Sequence, residues 1–416
     1  MQLQENESLA EEPSASPTQC PIDHASYSRQ KTARREVTGP RVERNADGVW
    51  QVRGFEEARA ILRGSGTRQA GFNAEMMERI PGQRNQSILY QEGKVHQQQR
   101  KQTARFFTPK TVSTSYRQMM ETLSDQMVSM LQQRKSADLS KIALRLAMRV
   151  AGQVIGLNNS RLPGLERRID AFFEEVPTDL KMGRKRLRRM LKVQYRMAAF
   201  FFLDVKPAIE AHKKHPQEDV ISHLLGLHYR DSEILTECVT YAAAGMVTTR
   251  EFICVAAWHL LEQPALRARY LVAPEEERQA ILEETLRLEP VIGNIRRRAT
   301  ADIPLESQSE QIVIPQGALI DIQVHGTNSD ERVVSEEPLA LCPGRELTGE
   351  RIPTEVMSFG DGHHRCPGSY LAIQEADIFL QRLLKLDGLR IERAPTMRWS
   401  DLTTGYELRN FIVAVE

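Results

Sequence analysis

Long hydrophobic runs are missing from this 416-residue chain. No stretch approaches ~18 consecutive apolar residues, so no membrane span is expected. The opening "MQLQENESLAEEPSASPTQ" lacks the apolar core of a signal peptide, and its polar composition reads as a flexible tail. Net charge is only +1, which leaves no global field for nucleic acid or a membrane surface. The five cysteines (20, 238, 254, 342 and 366) form no Cys-x-x-Cys pair. An odd number spread this widely is no disulfide framework, and it points to the reducing cytoplasm. No Gly-x-Gly-x-x-Gly occurs, so no dinucleotide fold is announced. No linker is marked after the tail, and the expected division is a tail over 1–45 and one domain over 46–416.

What is present is mostly helical periodicity. "FEEARAILRG" reads as a helix ended by Gly64, after a strand-like "VWQV". Apolar residues recur at three- and four-residue steps from Tyr116 to Leu157, which predicts two or three helices. "PALRARYLVAPEEERQAILEETLRLEP" gives two more, the second stopping before Pro290. Between Ile303 and Val324 the pattern turns to alternation with a Pro-Gln-Gly turn, as in short strands. "LAIQEADIFLQRLLKL" is helical again, and "YELRNFIVAVE" closes as a strand. The fold class is therefore mainly α with a minor β region.

Cys-Pro-Gly occurs twice, at Cys342 and at Cys366, and only the second lies in "FGDGHHRCPG". A zinc site needs about four nitrogen or sulfur ligands, and only His363 and His364 are near. A cysteine nucleophile wants a base held by a third group, and none is evident nearby. A haem thiolate needs one sulfur on a loop shielded by backbone N–H groups, with a cation near a propionate. Gly360 and Gly362 let such a loop turn tightly against a flat cofactor. Phe359 limits water near the sulfur. Gly368 and the helical run after it put Cys366 near a helix N-terminus, which favours thiolate.

Phe359, Gly362, His364, Cys366 and Gly368 resemble the cytochrome P450 cysteine loop, F-x-x-G-x-[HR]-x-C-x-G, at every fixed position. Further motifs follow in the family's order. Glu284 and Arg287 are similar to its Glu-x-x-Arg motif, which implies a buried pair that serves folding. His96 and Arg100, one turn apart on a helix face, resemble its H-x-x-x-R helix and imply contacts to a haem propionate. "Arg297-Arg-Ala-Thr-Ala-Asp302" resembles R-x-[AT]-x-x-D, with Arg297 preferred over its neighbours as a propionate ligand. The resemblance implies the P450 fold, with haem b between a long central helix and the cysteine-loop helix.

The central helix, roughly Asp231 to Leu261, contains "AAAGMVTTR". Gly245 and the β-branched Val247, Thr248 and Thr249 make it locally poor helix, so a distortion is expected there. Ala244, Gly245, Thr248 and Thr249 resemble the family's [AG]-G-x-[DE]-T-[TS] signature. That implies an oxygen-binding groove over the haem iron, with Thr248 aiding the protonation that precedes O–O cleavage. Val247 departs from the signature, because valine cannot relay a proton where the family keeps Asp or Glu. Glu251, substrate groups or water alone are the alternatives for proton supply, or else the enzyme is slow or uncoupled.

The function implied is a monooxygenase that inserts one atom of O2 into an apolar or partly polar small substrate. Resemblance to soluble bacterial members implies a monomer served by a ferredoxin or flavodoxin with a separate NAD(P)H reductase. Lys101, Arg105, Arg345 and Arg365 are candidates for a basic docking face. "LKMGRKRLRRMLKVQYR" (180–196) falls near the family's substrate lid; it reads as a solvated face, or as one attracting a carboxylate substrate or an acidic carrier. Its few aromatics argue against nucleic acid. Phenolic coupling, peroxide-driven oxidation and a non-catalytic haem-thiolate ligand binder remain the rival readings.

Overall fold

The helices expected from apolar spacing form where polar and apolar faces separate. The computed structural model describes residues 30–32, 39–72, 74, 86–174, 184–334, 337–400 and 403–416. Phe55–Arg63 is a helix whose Phe55, Ala58, Ile61 and Leu62 are buried, and Gly64 follows it as the C-cap. The Tyr116–Leu157 stretch divides into Arg117–Arg134 and Leu139–Ile155. Lys135 makes the corner at φ 64°, and Asp138 caps the second helix through Ser140 N–H. Pro264–Val272 and Glu275–Leu288 are the next expected pair.

A five-stranded sheet runs in the order Val42–Arg44, Trp50–Val52, Leu319–Gln323, Asn294–Ala299, Thr67–Gln69. Only the second and third strands pair in parallel. The alternating Ile303–Val324 stretch gives three strands, as expected, with Ile303–Ser307 paired to Glu310–Ile314. The closing segment differs from the single strand expected. Asn410 at φ 56° breaks it into Gly405–Arg409, which pairs with Thr396–Ser400, and Ile412–Ala414.

Apolar side chains gather into two clusters, one among the helices and one between the five-stranded sheet and the helix Phe55–Arg63. Described residues before the boundary expected at residue 45 pack onto the domain. Val42–Arg44 is the outer strand of the sheet, and Thr32 is wholly buried, with its N–H and hydroxyl both donated to Glu289. Most of the expected tail lies outside the described residues. No helix among the described residues is long and apolar enough to cross a membrane.

Candidate active site

The Cys366 loop is held open by its glycines. Gly360 and Gly362 have φ of +70° and +65°, where a side chain is strained. A Cβ on Gly362 would also stand 2.2 Å from the carbonyl of Leu62, so the loop lies directly on the first helix. Asp361 fastens that contact through Arg63 at 3.1 Å. Cys366 N–H bonds back to Phe359 O at 2.9 Å, and Phe359 packs against the helical core. The helix Ser369–Leu384 starts at Gly368. Burial pushes the Cys366 thiol up, while Gly368 N–H, Arg100 and Arg365 draw it back toward thiolate. Cys366 is a free thiol. Among the described residues no three His, Cys, Asp or Glu side chains gather as a metal site.

The other Cys-Pro-Gly has a different task. Arg287 forks onto Glu284 at 2.7 and 2.8 Å, and both side chains are at most 1% exposed. Cys342 N–H donates to the same carboxylate at 2.9 Å. Arg287 also donates to the carbonyls of Asn328, Pro338 and Ala340. The Glu-x-x-Arg pair thus gathers the loops leading to Cys366, as expected of a folding element. Cys342 is disulfide-bonded, against the expectation that no cysteine would be. Arg345 is corrected too: its side chain is 5% exposed and pairs with Glu284 at 3.3 Å, so it is no part of a docking face.

Three elements bring together the groups expected to meet propionates. His96 and Arg100 come from the helix Gly93–Thr103, Arg297 from the strand Asn294–Ala299, and His364 from the cysteine loop. The His96 and His364 rings stack with centroids 4.0 Å apart. Arg297 is buried, whereas Arg296 and Arg298 turn to Asp321 and to Gly317 O. Arg100 donates to Arg365 O, and its charge acts on both Cys366 and Tyr241. Tyr241 immediately precedes a π-helical segment, Ala242–Val247.

That segment is the distortion expected from the Gly-Met-Val-Thr-Thr run. Thr248 donates its hydroxyl to Ala244 O at 2.5 Å, and the helix resumes as Thr248–Glu262. Gly245 packs toward Ala151, and Thr249 is buried. Together these elements place a thiol loop, a cation cradle and a widened helix turn in one region. The cytochrome P450 family model matches residues 278–387, which include the Glu284 helix and the cysteine loop. The biotin biosynthesis cytochrome P450 of Bacillus subtilis (strain 168) is 27% identical over 86% of each chain. Mycocyclosin synthase of Mycobacterium tuberculosis (strain ATCC 25618 / H37Rv) is 32% identical, over only 38% of this chain and 37% of its own. A crystal structure of P450BioI with an acyl carrier protein ligated to hexadec-9Z-enoic acid superposes with TM-score 0.73 at 24% identity, covering 90% of this chain and 94% of that one. The chain belongs to the cytochrome P450 family.

Cytochromes P450 bind haem b, and the residues present fit it. His96 Nε2 is buried with no hydrogen-bond partner among the described residues, and burial pushes the ring down to about 4. It is therefore a neutral donor or acceptor facing a polar group, beside His364 and the cationic Arg100. A thiol on a glycine loop and a cradle that already gathers round a carboxylate match a flat metal-bearing group with acidic side arms.

Two residues change standing in this P450. Glu251 is one of the alternatives for proton supply, and its carboxylate is engaged by three donors. It accepts from Arg250 Nε at 2.8 Å, Arg409 Nη1 at 2.7 Å and Leu408 N–H at 2.7 Å. With a side-chain exposure of 2%, it is a fastening between the central helix and the strand Gly405–Arg409. Glu92 was missed. It precedes His96 by one helical turn, yet nothing in its spacing announces what it touches. Its Oε1 accepts from Arg297 at 2.8 Å and from Gln69 N–H at 2.8 Å, and its Oε2 lies 3.0 Å from His364 Nε2. Burial alone would raise the Glu92 carboxyl, but His364 and Arg297 hold it below the usual range.

Proposed function

We propose that this P450 inserts one atom of O2 into an apolar or partly polar small organic substrate, with electrons from a separate redox partner. The observation that carries the reading is the widened turn at Ala242–Val247 with its Thr248–Ala244 bond, in a chain that also builds the Cys366 loop. Bound haem with its cysteine thiolate supplies the oxygen-activating chemistry. The protein's part is to hold the sulfur dry behind Phe359 and to place a hydroxyl, that of Thr248, where protons are needed. With Val247 in the acid position and Glu251 fully engaged, those protons come through water or substrate groups. Electrons enter from a ferredoxin or flavodoxin that docks on the exposed Lys101 and Arg105. The test is the absorption spectrum of the reduced protein with carbon monoxide, followed by a screen for type-I shifts against a compound library. A spectrum without the thiolate-type Soret band, or a C366S protein that keeps it, would overturn the reading.

One substrate class is favoured by a surface feature. On the helix Arg184–Phe200, Leu191 and Tyr195 are 58% and 74% exposed among basic residues that include Arg188 and Lys192. Leu180 to Gly183 of that basic run lie outside the described residues. An apolar patch ringed by cations suits an acidic carrier protein bearing an acyl chain, and P450BioI was crystallised with such a carrier. Type-I titration with a fatty acid, its ester and the carrier-bound acyl group separates the cases. Equal affinities for all three would remove the carrier reading.

A further inference from the structure

Glu92 stands among the groups that would hold the haem propionates, and it takes their donors. Arg297 has its Nε on Thr67 Oγ1 at 3.1 Å, its Nη1 toward Gln69 Oε1 at 3.5 Å, and its Nη2 on Thr67 O at 3.2 Å and Glu92 at 2.8 Å. Each of its nitrogens is therefore engaged. His364 uses Nε2 on the other oxygen of Glu92. The Glu92 carboxylate is fixed in turn by Gln69 N–H, and its backbone is the N-cap of the helix that carries His96 and Arg100. One acidic side chain therefore joins the sheet, the cysteine loop and the start of that helix.

A propionate is also a carboxylate, so the two compete for the same donors. Arg297 is 5% exposed and Glu92 31%, so a second and third negative charge would gather on one buried guanidinium, where their repulsion is only partly screened. We propose that Glu92 is an internal competitor for the haem propionates. It is a positioning residue that keeps Arg297 and His364 aimed into the cradle and weakens the hold on haem, because one of its ion pairs must give way. The inference rests on the assignment of Arg297 and His364 to the propionates. Glutamine at 92 has one acceptor oxygen where glutamate has two, and no charge. Its oxygen can still accept from Arg297 and its NH2 can donate to a neutral His364, but without the carboxylate charge it holds both residues less tightly and leaves them to haem.

Haem transfer to excess apomyoglobin measures the hold directly, without turnover. The haem-loaded protein is compared with its E92Q, E92D and R297Q forms, following the Soret change. E92Q is expected to release haem about tenfold more slowly, the scale of one partly buried charge pair. E92D, with the carboxylate drawn back by one methylene, should fall between, and R297Q should release haem faster. Release from E92Q at the unaltered rate, or faster, overturns the competitor role; if R297Q still loses haem quickly, the propionate assignment stands. Haem release from R297Q at the unaltered rate removes that assignment and the proposal with it.

Discussion

Thr248 donates its hydroxyl to the carbonyl of Ala244 across the widened turn of the central helix, at 2.5 Å. That bond occupies the hydroxyl proton and leaves the oxygen lone pairs as acceptors. Threonine is therefore poised to accept a hydrogen bond, while its own proton is parked on the backbone. Replacing it with the near-isosteric valine removes both functions and little volume. T248V should keep the haem spectrum and substrate affinity but lower product formed per NAD(P)H several-fold, with the balance appearing as hydrogen peroxide. Unchanged product per NAD(P)H would show that the hydroxyl has no part in proton handling.

The fate of Glu251 gives the opposite expectation. Its partners Arg250 and Arg409 are nearly buried, and Arg250 also reaches Asp170 on the helix Leu165–Glu174 at 2.7 Å. Neutralising Glu251 leaves a buried guanidinium short of one counter-charge. E251Q should therefore lower unfolding stability by about 3 kcal/mol, seen as a fall in the thermal midpoint. Product per NAD(P)H should be unchanged in the folded fraction. A loss of coupling without loss of stability would restore the proton-relay role as one of the alternatives.

The contrast between Thr248 and Glu251 shows what the sequence could carry. Poor helix formers clustered at 245–249 are a local property, so the widened turn was legible. The Cys366 loop was legible for the same reason, since its glycines answer to local φ values. The partners of Glu251 were not legible, because helical spacing gives the face a side chain points from, not what waits across it. Leu408 and Arg409 come from a hairpin that the sequence showed only as a closing strand. Glu92 and Arg345 were hidden likewise: their partners arrive from distant segments, and only the assembled fold brings them together.

The Glu284–Arg287 pair should tolerate least of all. Arg287 is fully buried and donates to one carboxylate and three carbonyls. Lysine keeps the charge but has no fork, and it cannot serve acceptors in several directions. R287K should cost about 3 kcal/mol or more and lower the yield of haem-loaded protein, measured by the Soret-to-protein absorbance ratio. A variant that loads haem normally with an unaltered thermal midpoint would refute the structural role.

Glu237 sets a pH dependence. It is buried on the central helix and accepts from Ile88 N–H at 3.0 Å and Gln99 Nε2 at 3.1 Å. Burial pushes its carboxyl up to about 7 from an ordinary 4.5. An acid whose pKa is raised on folding binds its proton more tightly when folded. Its contribution is therefore fully present below about 4.5 and is lost as pH rises through about 7. The loss amounts to about 3 kcal/mol. Glu375, raised to about 8 by burial, acts in the same direction. E237Q should flatten the fall in thermal midpoint between pH 5 and pH 8 and match or exceed the parent at the upper end. An equally steep fall in E237Q would place the titration elsewhere.

The last expectation concerns the segment before the sheet. Glu289 is wholly buried. It receives His259 Nε2 at 2.9 Å, Lys31 N–H at 2.5 Å, and both the N–H (3.0 Å) and hydroxyl (2.5 Å) of Thr32. Burial would raise this carboxyl, but His259, Lys31 N–H and Thr32 hold it below its ordinary range, so it is charged and depends on those donors. Glu289 also directly follows the helix of Glu284 and Arg287, and Tyr406 OH bonds to its carbonyl at 3.0 Å. Residues 30–32 therefore act as a strap across the base of the helix that orders the cysteine loop. T32A removes one charge-assisted hydrogen bond from a group with no access to water, and it should cost about 2 kcal/mol. T32S, which keeps the hydroxyl, should cost less. Chemical denaturation of the three proteins gives the comparison, and equal midpoints for all three would show that the strap contributes nothing to stability.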